Sequence, residues 1–145
     1  ERADATYALL KDSGTEFIVV AAPERDALRE ASYFVERLNQ DGMPLGGLIL
    51  NRVQEVPETG LTQDQVLAAA QKLTAEGTGD LTASLLELHA QRMEIKERQK
   101  HLALRFTAAH PTVPVQPVPA MSQDVHDLAG LREIGAALAN QELKW

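Results

Sequence analysis

The stretch Gly46-Gly47-Leu48-Ile49-Leu50-Asn51-Arg52-Val53-Gln54-Glu55-Val56-Pro57-Glu58-Thr59-Gly60 decides how this chain is read. Its apolar run, Leu48-Ile49-Leu50, halts on a carboxamide beside a guanidinium and passes into a loop rich in Pro and Gly. So short a run, bounded by turn residues, reads as a buried strand rather than a helix. Upstream, Phe17-Ile18-Val19-Val20-Ala21-Ala22 is a second continuous run, of the kind that suits a parallel strand covered on both faces. Between the two, Ala27, Leu28, Ala31, Phe34, Val35 and Leu38 recur at helical spacing, and Asp41-Gly42 closes the helix. Strand, helix and strand in this order form a βαβ unit, whose crossover is expected to be right-handed.

Downstream, residues 54–60 read as loop, and Thr62 with Gln65 forms a capping box that opens a short helix ending near Thr74. Gly77-Thr78-Gly79 breaks it, and residues 80–109 read as one long helix. Leu81, Leu85, Leu88, Ile95, Leu102 and Phe106 lie near one seam of that helix, interrupted by Arg92 and Gln99, and the seam is expected to be core. Exposed, it would instead drive association. Residues 92–105 hold five Lys/Arg against two Glu, which reads as a solvated face or a docking face for an acidic partner or phospholipid headgroups. Glu94 and Arg98 stand at i,i+4 in the favourable order. Residues 113–119 carry three prolines and read as an edge strand, because proline donates no ladder hydrogen bond. Residues 121–127 are a connecting loop, and a last helix with Leu128, Leu131, Ile134 and Leu138 on one face is expected to reach Glu142. Trp145 is expected to cover an edge or to be disordered.

The totals bound the function. At 145 residues, 44% hydrophobic and 24% charged, the chain reads as globular. A net charge of −7 argues against nonspecific binding to nucleic acid. Cysteine is absent, so disulfides and thiolate metal sites are excluded. No apolar run approaches the length of a membrane span, and a soluble cytoplasmic protein is the expectation. His89, His101, His110 and His126 are scattered and read as structural or surface residues, with no metal site expected. The chain opens on Glu1, already inside a helical pattern that stops at Lys11-Asp12-Ser13-Gly14, and three strands make a thin sheet. Both features carry the expectation that the chain is part of something longer.

In open parallel α/β sheets, ligands bind beyond the carboxyl ends of the strands. Those ends are Pro23-Glu24, Asn51-Arg52 and Pro119-Ala120. Asn51 reads first as a turn residue, which is a common role for asparagine. Its second reading is a ligand-facing amide that both donates to and accepts from a purine edge.

Taken in order, Thr15-Glu16-Phe17-Ile18-Val19-Val20-Ala21-Ala22-Pro23-Glu24, then Leu28-Arg29-Glu30-Ala31, then Leu48-Ile49-Leu50-Asn51-Arg52-Val53 resembles the ArsA-type ATPases, which include tail-anchored-protein targeting ATPases. Pro117-Val118-Pro119-Ala120, followed by Asp124-Val125-His126-Asp127-Leu128, looks like that family's closing loop over adenine. The wording of residues 22–38 is most similar to actinobacterial anion-transporting ATPases. The resemblance implies a three-layer parallel-sheet P-loop NTPase fold of the SIMIBI type, of which residues 1–145 are the C-terminal portion with one long helix. It implies that Asn51 recognises adenine, that Pro119, Ala120 and Met121 line the base, and that Glu24 sits near the nucleoside; Arg52 stands where the family varies, and its expected role is to stack beside the base. It further implies ATP or ADP with Mg as cofactor, a homodimer or a heterodimer with a paralogue, and a cargo or peripheral membrane partner. The chain departs from the family in having no Gly-Lys-Thr/Ser loop. The phosphate cradle and the Mg ligands are therefore expected upstream, no catalytic residue is assigned here, and this chain alone is not expected to hydrolyse ATP. The alternative is a non-catalytic α/β interaction module that binds a protein partner through its long charged helix.

Overall fold

The computed structural model of the chain describes residues 2–139. It is α/β, with the element order α1 (Arg2–Leu10), β1 (Phe17–Ala21), α2 (Arg25–Gln40), β2 (Leu45–Val53), α3 (Gln63–Ala75), α4 (Asp80–Ala109), β3 (Val115–Pro119) and α5 (Leu128–Ala139). The expected reach of the last helix to Glu142, and the placement of Glu1 and Trp145, lie outside the described residues. The chain divides into an α/β unit, made of the described residues up to Val53 and from His101 onward, and a helical unit, Gln54–Lys100.

In the α/β unit the three strands are parallel in the order β1-β2-β3, so all three carboxyl ends open on one edge of the sheet. The layering is compatible with a three-layer α/β arrangement. One face of the sheet carries the core. Leu48, Leu50 and Val53 of β2 pack with Leu28, Ala31 and Val35 of α2 and with Ala103 and Phe106 of α4. Burying such side chains contributes roughly 1.5–3 kcal/mol each relative to leaving them exposed.

β2 is longer than its apolar run because two irregularities lie within it. The β1–β2 pairing skips Gly46, and the β2–β3 pairing skips Arg52. Gly47 is needed for close approach: a Cβ there would lie 2.8 Å from the Pro114 carbonyl oxygen, which also accepts the Leu48 N–H at 2.8 Å. A Cβ at Gly46 would meet only the side chain of the exposed Glu16, which can swing away. Gly47→Ala is therefore expected to destabilise the chain by about 2 kcal/mol, and Gly46→Ala by less than about 0.5 kcal/mol, in urea titrations followed by circular dichroism. Equal costs at the two positions would refute the close-approach account.

Three burial expectations are corrected. β1 is an edge strand with a helix on one face only, and among the described residues Ile18 and Val20 on its other face stay 52% and 59% exposed. In α2 the buried stripe is Leu28, Ala31, Val35 and Leu38, while Phe34 falls off it and meets Tyr33 edge-to-face at 6.4 Å. In α5, Leu128 and Leu131 are exposed, and only Ile134 and Leu138 of the expected face are half-buried.

The helical unit opens with the expected capping box. The Gln65 N–H donates to Thr62 Oγ1 at 3.3 Å, and the Thr62 N–H donates to Gln65 Oε1 at 2.9 Å. Its buried residues are Val66 and Ala70 of α3 and Ala83 and Ala90 of α4. The leucine seam is accordingly not core here: Leu81, Leu85 and Leu88 are 75%, 56% and 45% exposed. The inward face of α4 in this unit is marked by small residues at i and i+7 rather than by leucines. Gln99 breaks the seam for a local reason, since its Oε1 accepts the Gln54 N–H at 2.7 Å and pins the start of the loop. Glu94 and Arg98 do not close to an ion pair. Among the described residues no helix is long and apolar enough to cross a membrane.

Candidate functional site

Strand alternation places Leu48 and Leu50 on the core face and Asn51 on the opposite one. Arg52 then breaks the alternation. It is the residue that the pairing with β3 skips, Asn51 lying opposite Val118 and Val53 opposite Pro119. It adopts φ 67°, and it is the sole non-glycine with positive φ among the described residues. A bulge of this kind re-aims a side chain while leaving the strand paired. Pairing resumes at once, with the Ala120 N–H donating to the Val53 carbonyl at 2.9 Å. Asn51 and Arg52, neighbours that a regular strand would send to opposite faces, thus line one recess.

That recess measures about 360 Å³ and is walled by Asn51, Arg52, Pro119, Ala120 and Met121, with Ile134 of α5 at its side. Its size falls within the range of small-molecule sites, about 300–1,000 Å³. The loop after β3 has a defined path. His126 Nδ1 lies 2.8 Å from the Asp124 carbonyl oxygen, and Asp127 Oδ1 accepts the Gly130 N–H at 2.8 Å, capping α5. Arg52 Nη2 reaches Asp124 Oδ1 of that loop at 3.6 Å, with both side chains largely exposed. A pair so exposed contributes little stability; what it does is connect the end of β2 to the loop across the recess mouth. The Asn51 carboxamide has no hydrogen-bond partner among the described residues, and the half-buried residue lines the recess.

Five of the six residues singled out in the sequence, Asn51, Arg52, Pro119, Ala120 and Met121, meet at this recess. Glu24 does not line it. Glu24 is the residue before α2, exposed, with its carbonyl accepting the Leu28 N–H at 3.0 Å and its carboxylate making no cap bond. Sequence reading missed Asp124 as the partner of Arg52 and Ile134 as a wall. The helical spacing of α5 marks Ile134 as an inward residue, whereas nothing local marks Asp124. Among the described residues no group of three His, Cys, Asp or Glu is arranged to hold a metal ion.

The recess offers an unengaged amide, able both to donate and to accept, beside a proline-bearing wall. No glycine-rich Gly-Lys-Thr/Ser loop, the usual cradle for phosphates, occurs in the sequence. No known family model matches the chain, and no curated protein matches it.

The left-handed backbone at position 52 stores strain that an L side chain meets and glycine does not, of order 1–2 kcal/mol. Arg52→Gly is expected to be neutral or stabilising by up to about 1 kcal/mol, because the freedom of glycine in the unfolded chain offsets part of the relief. Arg52→Val is expected to lower the melting temperature. A glycine variant less stable than the valine variant would rule out strain at this position.

Proposed function

We propose that this chain is the adenine-binding C-terminal portion of an ArsA-like ATPase with a P-loop NTPase fold of the SIMIBI type. The whole protein would be a cytoplasmic homodimer or paralogue heterodimer that couples ATP binding and hydrolysis to the handling of a cargo or an anion. The observation that carries this reading is the Asn51 carboxamide, unengaged at the carboxyl edge of a parallel sheet and facing a recess walled by Pro119, Ala120 and Met121. The amide reads the base, the loop after β3 covers it, and Arg52 stacks beside it while its ion pair with Asp124 holds the loop near. Phosphates and Mg are held by the upstream half, and the catalytic step belongs there.

The test is photolabelling of the intact protein with 8-azido-ATP. The expected labelled peptides contain residues 51–55 or 118–124, and excess ATP or ADP suppresses labelling far more than GTP does. Labelling elsewhere, or an upstream reading frame without a Gly-Lys-Thr/Ser loop, overturns the proposal.

A second reading rests on a separate observation. Leu81, Leu85 and Leu88 form an exposed apolar stripe at i, i+4 and i+7 on α4. Such a stripe favours a docking face for a protein partner, as in a non-catalytic interaction module.

A further inference from the structure

A second hollow, which shares no residue with the recess at Asn51, lies between the first turns of α2 and the last turns of α4, both within the α/β unit. Its volume is about 410 Å³. Its floor is apolar: Leu28 and Phe106 are buried and Leu102 is half-buried. Its rim carries three guanidiniums, Arg25 and Arg29 one helical turn apart on α2, and Arg105 on α4. Three arginines converging on one small hollow stand out in a chain of net charge −7.

Two of the three are unengaged. Neither Arg25 nor Arg105 has an ion-pair partner among the described residues. Arg29 reaches only Asp26, at 3.2 Å, with both side chains more than 70% exposed, so it exchanges partners at little cost. The first turn of α2 adds to the positive field, because Glu24 makes no side-chain cap and the N–H groups there keep their partial charge. The other acids of these turns, Glu24 and Glu30, do not line the hollow. Guanidinium forks match carboxylate and phosphate oxygens in pairs, while the rest of the lining is apolar apart from the Ser32 hydroxyl.

We propose that this hollow binds a small amphipathic anion, a phosphate monoester or carboxylate head group on a compact apolar body. The head lies among Arg25, Arg29 and Arg105, and the body covers Leu28, Leu102 and Phe106. The acidic chain around the hollow repels extended polyanions, so the charge distribution selects a small ligand over a nucleic acid, an acidic protein or an anionic membrane.

The experiment is titration of the intact protein with 1-naphthyl phosphate, observed by fluorescence and by saturation-transfer NMR. Inorganic phosphate and 1-naphthol each supply half of the ligand and are expected to bind at least tenfold more weakly. The double variant Arg25→Gln/Arg105→Gln, checked for native circular dichroism, is expected to lose at least tenfold in affinity for 1-naphthyl phosphate. Adenosine is expected not to compete, which separates this site from the recess at Asn51. Four outcomes overturn the proposal: no binding of the probe, equal binding by the double variant, equal binding of 1-naphthol, or displacement by adenosine. Association with phosphatidylglycerol vesicles without binding of the soluble probe also overturns it, in favour of a membrane surface. If the double variant does not fold, Arg105→Lys serves, with an expected loss of several-fold because an ammonium lacks the paired donors.

Discussion

Replacing Asn51 with alanine in the intact protein is expected to erase most of its preference for adenine over guanine nucleotides. Under the proposed reading, the amide offers both a donor and an acceptor to the purine edge. Guanine presents the opposite pattern there, so the wrong base leaves buried polar groups unpaired. Such a mismatch costs about 1–3 kcal/mol, and the ratio of ATP to GTP affinity should fall roughly tenfold to a hundredfold once the amide is removed. The side chain makes no hydrogen bond among the described residues, so folding stability should scarcely change. Competition binding with both nucleotides, alongside a thermal melt, measures the two effects separately. A preserved ATP-to-GTP ratio in a stably folded variant would exclude Asn51 as the reader of the base and return it to the role of a turn residue.

The largest loss of stability is expected from Leu50→Ala. Leu50 is fully buried in the middle of the central strand and belongs to the core formed with α2 and α4. Its neighbours are held by parallel strands on both sides, at Ala21 and Pro117, and collapse poorly into the space vacated. Large-to-small changes of this kind cost about 2–5 kcal/mol. For a chain of this length that corresponds to a melting temperature lower by roughly 10 °C. Val20→Thr is the matched control. Val20 lies on β1 with its side chain on the bare face, the exchange keeps β-branching, and the change should stay within about 0.5 kcal/mol. If the two variants unfold at the same urea concentration, the core does not sit on the face assigned to it.

Much of this architecture was legible because local chemistry and tertiary packing agree. Gly77-Thr78-Gly79 left α4 one place to begin, and the Thr62–Gln65 pair opened α3 where its side chains demanded. The proline-rich β3 could only be an edge. The rule that parallel strands gather their carboxyl ends is enough to bring Asn51 and Pro119 together.

What escaped the sequence has identifiable physical causes. The apolar run marks β2 only over Leu48-Ile49-Leu50, yet the strand starts at Leu45 and takes in Gly46 and Gly47: one is stepped over by the pairing and the other makes room for the Pro114 carbonyl. The leucines of α4 were taken for core because periodicity reports a helix face without saying what lies against it. In the helical unit, Ala83 and Ala90 occupy the inward positions instead. Glu24 misses the recess because it immediately precedes α2 on a different strand end. The hollow ringed by Arg25, Arg29 and Arg105 joins residues about eighty positions apart in the chain, a distance over which no local pattern speaks.

The bulge at Arg52 has a wider consequence. On its two sides, Leu50 and Val53 both belong to the interior, and Asn51 keeps its own side whether or not an extra residue follows it. Position 52 is thus a spare link, free of the parity that binds its neighbours Leu50, Asn51 and Val53. Evolution can exchange it, among residues that accept its left-handed backbone, to retune what the recess beside Asn51 accepts while the pairing on either side is kept.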